Sequence, residues 1–174
     1  GRGVELARRL VAGDRWDLVF NFAEGVRGRS REAQVPALCE LFDQPYCLAD
    51  PLTCALTLDK ALAKRVVRDH GLPTAPFALV SSPDEARRVD LAPPLFAKPY
   101  AEGSSKGVTG RSYVGSRDEL WPACAELIAQ FRQPVLVERF LPGREFTVGL
   151  VGNGDRSRIV GVMEVLITAG AETH

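Results

Sequence analysis

The sequence lacks the features of several common protein classes. Its two histidines and four cysteines form no Cys-x-x-Cys pair, so we expect no zinc site. No apolar run approaches the roughly 20 residues that span a bilayer, and no signal peptide is visible. The 22 basic and 22 acidic residues cancel, which disfavours a nucleic-acid or membrane partner. We therefore expect a cytoplasmic protein with reduced cysteines.

Two familiar nucleotide-binding signatures are also missing. The chain has neither the P-loop pattern of glycine, four residues and Gly-Lys-Ser/Thr nor a convincing dinucleotide fingerprint. An initiator methionine is missing as well, because the sequence begins Gly1-Arg2-Gly3. We expect the chain to begin inside a longer protein.

The order of hydrophobic segments predicts an α/β unit followed by an α+β unit. Residues 1–54 contain a helix, a buried strand at 17–22, a loop and a second helix, which is typical of part of an open α/β sheet. Pro51 breaks this unit, and a helix is predicted over 58–70. The strands of the second unit should form an antiparallel sheet, and they are predicted at 77–80, 95–99, 109–114, 135–138, 146–152 and 159–167.

The most informative segment is a strand that carries a lysine into a loop of small residues. Leu95–Pro99 is a short apolar run that contains Lys98, and Glu102–Val108 holds two glycines and two serines. A lysine on a rigid strand can hold a fixed charge against a phosphate, and successive N–H groups in such a loop form an anion cradle. The pattern indicates a polyphosphate site under a flexible lid, with ATP the default ligand. The alternative is a flexible hairpin beside a surface lysine.

Two other segments contain residues suited to the same ligand. Lys60 and Lys64 share a face of the helix after the first unit, and Lys60 is the better candidate for a phosphate contact. The alternative there is a solvated basic face. Glu138, the Leu141 backbone and Glu145 could bind adenine and ribose, or they could form a strand–turn–strand corner with exposed glutamates.

A charged loop follows the first strand, at the edge where ligands bind in open α/β sheets. Its charged residues are Glu24, Arg27, Arg29, Arg31 and Glu32. A carboxylate and several guanidiniums there could bind the ammonium and carboxylate groups of an amino acid. The alternative is an ordinary charged loop that leads into a capped helix.

Together these segments resemble the ATP-grasp superfamily, and within it the D-alanine–D-alanine ligase-like family. The matching pieces follow the family's order and about its spacing, namely Asn21–Gly25 with Arg29–Gln34, Leu58–Lys60, Lys98-Pro99, Glu102–Gly107, Val137-Glu138 and Gly143–Phe146. The resemblance implies an ATP-grasp fold of class α/β plus α+β. Residues 1–54 would belong to a partial substrate-side domain, 55–142 to the central lid subdomain and 143–174 to the start of the C-terminal lobe.

The resemblance also implies roles for individual residues. Those implied for ATP binding are Lys60, Lys98, Glu102, Gly103, Ser104, Ser105, Gly107, Val108, Glu138, Arg139, Leu141 and Glu145. Glu24 and Ser105 are implied for substrate binding. The family uses ATP and Mg2+ to activate a carboxylate as an acyl phosphate and then joins it to an amine. The Mg2+ ligands are expected outside this chain.

The sequence departs from the family's pattern in two respects. Glu24-Gly25 stands where the family has His-Gly, and the following loop is rich in arginine, so we expect an amino-acid or peptide substrate other than D-alanine. The family's metal-binding residues lie downstream, so we expect these 174 residues to be inactive alone. The alternatives are another ATP-grasp ligase or a non-catalytic nucleotide-binding module. Homodimers are common in the family, but no interface can be read from the sequence.

Overall fold

The N-terminal part of the chain folds as a small α/β unit. We describe residues 3–166 in a computed structural model. The elements of this unit are α1 (Gly3–Val11), β1 (Val19–Phe20), α2 (Gln34–Leu41) and β2 (Tyr46–Cys47), with a 3-10 turn at Arg31–Ala33. The strand predicted at 17–22 is present as a two-residue strand that pairs in parallel with β2. Parallel pairing agrees with the predicted open α/β arrangement.

The helical segment that follows differs from the prediction at Pro51. Instead of a break and one helix over 58–70, the chain forms α3 (Pro51–Leu58) and α4 (Lys60–Asp69). Proline suits a first helical position, where its missing N–H needs no partner. Asp59 separates the helices because its backbone is extended and its carboxylate accepts the Leu62 N–H at 3.0 Å. This buried cap fixes the start of α4.

A four-stranded antiparallel sheet forms the centre of the second unit, and its strand order is β3-β6-β4-β5. The sequence predicted an antiparallel sheet but not this order, and the last two strands form a separate two-stranded sheet. Its elements are β3 (Phe77–Val80), α5 (Pro83–Ala86), β4 (Leu95–Pro99), β5 (Tyr113–Val114), α6 (Arg117–Phe131) and β6 (Val135–Arg139). Helix α6 covers one face of the sheet and closes the hydrophobic core. The strand predicted at 109–114 is shorter, because Gly110–Ser112 form a 3-10 turn that Thr109 caps.

The two faces of this sheet carry different side chains, apolar on one face and charged on the other. Ala97 and Val137 are fully buried in the core beneath α6, and their neighbours Lys98 and Glu138 point to the opposite face. Lys98 pairs with Leu136 across the antiparallel register, so Lys98 and Glu138 are diagonal neighbours on that face. The strand register therefore brings a cation and a carboxylate together outside the core.

The last described elements form a hairpin of β7 (Glu145–Val151) and β8 (Arg158–Val165). The prediction of a turn at Asn153-Gly154 is confirmed, and Ile167, the predicted end of the second strand, lies outside the described residues. Among residues 3–166, no helix combines the length and the hydrophobicity that a membrane crossing requires.

Candidate functional site

A cavity of about 300 Å³ lies where α3, α4, the end of β4 and the following loop meet. Its lining residues are Glu32, Thr57, Leu58, Lys60, Lys98, Pro99, Glu102, Gly103, Ser104, Ser105, Lys106 and Val108. Most of the residues proposed from the sequence for phosphate binding are in this set. The fold thus brings Lys60, on a helix, and Lys98, on a strand, to one concave surface next to the small-residue loop.

Lysine is concentrated at this site. Of the 22 basic residues in the chain, only Lys60, Lys64, Lys98 and Lys106 are lysines. Three of them line the cavity, and Lys64 shares the carboxylate of Glu138 with Lys98. Lysine presents a compact point charge, and arginine supplies the positive charge elsewhere in the chain. The lysines of this chain are therefore concentrated at and beside the cavity.

Lys60 is held at the wall of the cavity by its own backbone and side chain. Its N–H donates to the Tyr100 carbonyl at 3.0 Å, and its Nζ donates to the Glu102 carbonyl. Burial, followed by the nearby charge of Lys98, lowers the pKa of Lys60 below its ordinary value. The positive charges of Lys60 and Lys98 repel each other, and a bound anion would offset this repulsion.

Glu138 is bound by two lysines at once. Lys98 Nζ lies 2.5 Å from Oε1, and Lys64 Nζ lies 2.8 Å from Oε2. Burial acts to raise the pKa of Glu138, but the hydrogen bonds from Lys64 and Lys98 outweigh burial and hold the pKa below its ordinary value. Glu138 is therefore a charged carboxylate beside the cavity, and one of its partners is a cavity-lining lysine.

Sequence reasoning gave Lys60 more weight than Lys64 and did not assign Lys64 to the site. Two signals point to it. Lys64 lies four residues after Lys60, on the same helical face, and it is one of only four lysines in the chain. Its side chain is 15% exposed, so it does not belong to a solvated basic face.

The glycine-rich loop, residues 102–108, is anchored by its first residue. The Glu102 carboxylate accepts hydrogen bonds from Gln133 at 2.7 Å and Arg31 at 3.3 Å, and it lies 3.3 Å from Lys106 Nζ. Arg31 also donates to the Ala101 carbonyl at 2.8 Å. Protein partners therefore surround this carboxylate, and the geometry suits holding the loop in place.

The charged loop at 21–34 contacts the glycine-rich loop directly. The Ser104 hydroxyl donates to the Glu24 carboxylate, and a Cβ placed on Gly103 would lie 3.5 Å from Glu32 Oε1. Burial raises the pKa of Glu32, and the charge of Arg31 opposes that shift. The structure thus places Glu24 beside the loop that was expected to cover the phosphates.

Replacing Glu32 by glutamine is expected to make the stability of the chain less dependent on pH. Because the pKa of Glu32 is raised in the folded state, its contribution is present at low pH and is lost as the pH rises through that value. The free energy of unfolding should therefore fall less between about pH 4, below the ordinary pKa of glutamate, and about pH 7.5 in Glu32→Gln than in the wild type. Urea denaturation at both pH values measures this difference.

Glu5→Gln is the matched control, because Glu5 is exposed on α1. The free energy of unfolding of Glu5→Gln should change with pH as much as that of the wild type. Equal pH dependence for Glu32→Gln and the wild type would contradict the effect of burial on Glu32.

The remaining proposed residues lie outside the cavity lining. Arg139, Leu141 and Glu145 follow the centre of β6 and are exposed. Gly107 lies within the loop with φ +81°, where a Cβ would be 2.6 Å from Pro99 Cγ. Among residues 3–166, no group of three or more His, Cys, Asp or Glu side chains is arranged to hold a metal ion.

Comparison with known proteins adds independent support for the fold. The VanG D-Ala:D-Ser ligase of Enterococcus faecalis superposes with a TM-score of 0.73 at 30% identity, over 88% of this chain and 44% of that one. D-alanyl-alanine synthetase A of Vibrio cholerae gives a TM-score of 0.71 at 24% identity, over 88% and 46% of the two chains. The predicted fold class is confirmed, and the chain has the ATP-grasp fold.

Sequence comparison identifies the family. The family profile described as D-ala D-ala ligase C-terminus matches residues 66–171. A D-alanine–D-alanine ligase of Bordetella pertussis is 40% identical over 133 residues, which are 75% of this chain and 41% of that protein. One of Cereibacter sphaeroides is 38% identical over 165 residues, which are 94% and 49% of the two. The chain belongs to the D-alanine–D-alanine ligase family, and it spans less than half the length of these relatives.

Proposed function

We propose that this chain is the ATP-binding portion of an ADP-forming ligase that joins a carboxylate to an amine. The observation that carries the proposal is the cavity where Lys60 and Lys98 meet beside the glycine-rich loop. The lowered pKa of Lys60 supports it, because two repelling cations at one surface favour a polyanion. The names of the relatives, which are D-alanine–D-alanine and D-Ala:D-Ser ligases, supply the reaction class.

The residues divide naturally between the parts of the nucleotide. Lys60 and Lys98 would bind the phosphates, and the backbone N–H groups of Gly103–Ser105 and of Gly107 would add donors. The Val108 N–H donates to the Ser105 carbonyl at 2.9 Å, so Val108 would contact the nucleotide through its side chain. Glu138, Arg139 and Leu141 are proposed for adenine and Glu145 for ribose. ATP, when bound, supplies the phosphoryl group that activates a carboxylate. The protein contributes position and charge compensation.

The substrate side is proposed to include Glu24 and Ser105. The hydrogen bond between Ser104 and Glu24 supports this placement, because it brings the charged loop against the glycine-rich loop. A carboxylate at Glu24 favours a cationic group, so a small amino acid or peptide with a free ammonium is the proposed substrate. The Mg2+ ligands are proposed to lie in the rest of the protein.

Isothermal titration of MgATP into the chain tests the proposed function. We expect saturable binding that is at least about tenfold tighter than that of adenosine, because lysine–phosphate contacts carry the recognition. We also expect no ADP formation when amino acids are added to this chain alone. Equal affinity for ATP and adenosine would contradict a phosphate site, and no binding of ATP would contradict the proposal as a whole. Amino-acid-dependent ADP formation would contradict the expectation that the chain alone is inactive.

A further inference from the structure

We propose that Lys64 is a positioning residue for phosphate binding: it compensates the charge of Glu138 so that Lys98 is available to a polyphosphate. This inference rests on the proposed function and deepens it. Lys64 is not expected to touch the ligand, and it acts through Glu138.

The two lysines that bind Glu138 are not equivalent. Lys64 Nζ lies 2.8 Å from Thr74 Oγ1 as well as 2.8 Å from Glu138 Oε2, and 5.5 Å from the centre of the Phe77 ring. These contacts hold Lys64 against the protein. Lys98 Nζ pairs with the other carboxylate oxygen, and Lys98 lines the cavity whereas Lys64 does not. Lys64 is therefore fixed against the protein, and Lys98 faces the space proposed for the ligand.

The position of Glu138 creates a competition for Lys98. A phosphate that approaches Lys98 must compete with a carboxylate only 2.5 Å away. If Lys98 were the sole partner of Glu138, its departure would leave a largely buried carboxylate without a cation, which is costly. Because Lys64 binds the second oxygen, Glu138 retains a cation when Lys98 turns to the ligand. Lys64 therefore lowers the cost of recruiting Lys98.

Helix and strand geometry explain why this arrangement forms. Lys64 is one helical turn beyond Lys60, so both lie on the same side of α4. Lys60 reaches the Glu102 carbonyl of the glycine-rich loop, and Lys64 reaches Glu138 on the sheet. Glu138 and Lys98 are diagonal neighbours on the face of the sheet away from the core. The same helix thus supplies one lysine to the cavity and another to the carboxylate behind it.

A double-mutant cycle tests the inference by measuring MgATP affinity. The proteins are the wild type, Lys64→Met, Glu138→Gln and the double variant, with Arg65→Met as the control because Arg65 is exposed on the same helix. We expect Lys64→Met to weaken MgATP binding about tenfold in the wild-type background, and less than about threefold when Glu138 is already glutamine. Arg65→Met should match the wild type, and Lys64→Arg should restore most of the affinity.

The outcomes separate this inference from the proposed function. If the wild type binds MgATP and Lys64→Met has no effect, or has the same effect in both backgrounds, Lys64 does not act through Glu138. If the wild type does not bind MgATP, the proposed function fails and this inference fails with it. Should Lys64→Met unfold the chain, Lys64→Gln, which keeps a donor for Thr74 without the charge, replaces it in the same cycle.

Discussion

Replacing Lys98 by alanine is expected to weaken MgATP binding about 100-fold. Lys98 lines the cavity, and the loss of a charge-assisted contact to a phosphate removes a large part of nucleotide recognition. The fold should survive the change, because Glu138 keeps its contact with Lys64 at 2.8 Å. Titration calorimetry measures the affinity, and thermal unfolding checks that the variant is folded.

Arg111→Ala is the matched control for this variant. Arg111 lies shortly after the glycine-rich loop, and its ion pair with Glu126 is exposed. Removing the Arg111 side chain should therefore change the free energy of unfolding very little. Its MgATP affinity should stay within about twofold of the wild type. A Lys98→Ala chain that binds MgATP as tightly as Arg111→Ala would remove Lys98 from the phosphate site.

Replacing Gly107 by alanine is expected to destabilise the folded chain by about 2–4 kcal/mol. The residue has φ +81°, which disfavours a side chain, and a Cβ there would lie 2.6 Å from Pro99 Cγ and 2.7 Å from Phe131 Cζ. The glycine-rich loop or the end of α6 would have to move. Because this loop lines the cavity, MgATP affinity should fall as well. Urea denaturation measures the stability, and calorimetry measures the affinity.

Gly71→Ala separates the two contributions to this effect. Gly71 has a similar φ of +72°, but nothing lies within 4 Å of a Cβ placed there. Replacing Gly71 should lower the free energy of unfolding by only about 1–2 kcal/mol, the cost of a left-handed backbone conformation for a residue with a side chain. Equal losses in the two variants would mean that the contacts of the Gly107 position with Pro99 and Phe131 add nothing.

The elements that could be predicted from the sequence are those determined by short runs of neighbouring residues. The strand around Lys98 was predictable because a short apolar run is bounded by prolines. The hairpin at Asn153-Gly154 was predictable from its turn residues and the flanking apolar segments. Both predictions depend on the preferences of neighbouring residues, and the structure confirms both.

Other features required information that local pattern does not contain. The hydrophobic spacing does not show that Asp59 turns away from the helix and caps a new one, and Pro51 is typical of both a break and a helix start. The pairing of Glu138 with two lysines depends on strand register and on the packing of α4. The contact between Arg31 and Glu102 joins segments 71 residues apart. Such contacts are set by tertiary structure.

The restriction of lysine to one region also has a consequence for chemical modification. Apart from the amino terminus, every primary amine of this chain lies in the wall of the cavity or on the carboxylate beside it. Reagents that acylate amines will therefore react at this location and at the amino terminus, while the many arginines stay unmodified. The mass that such a reagent adds to lysine residues then reports the accessibility of a single place in the molecule.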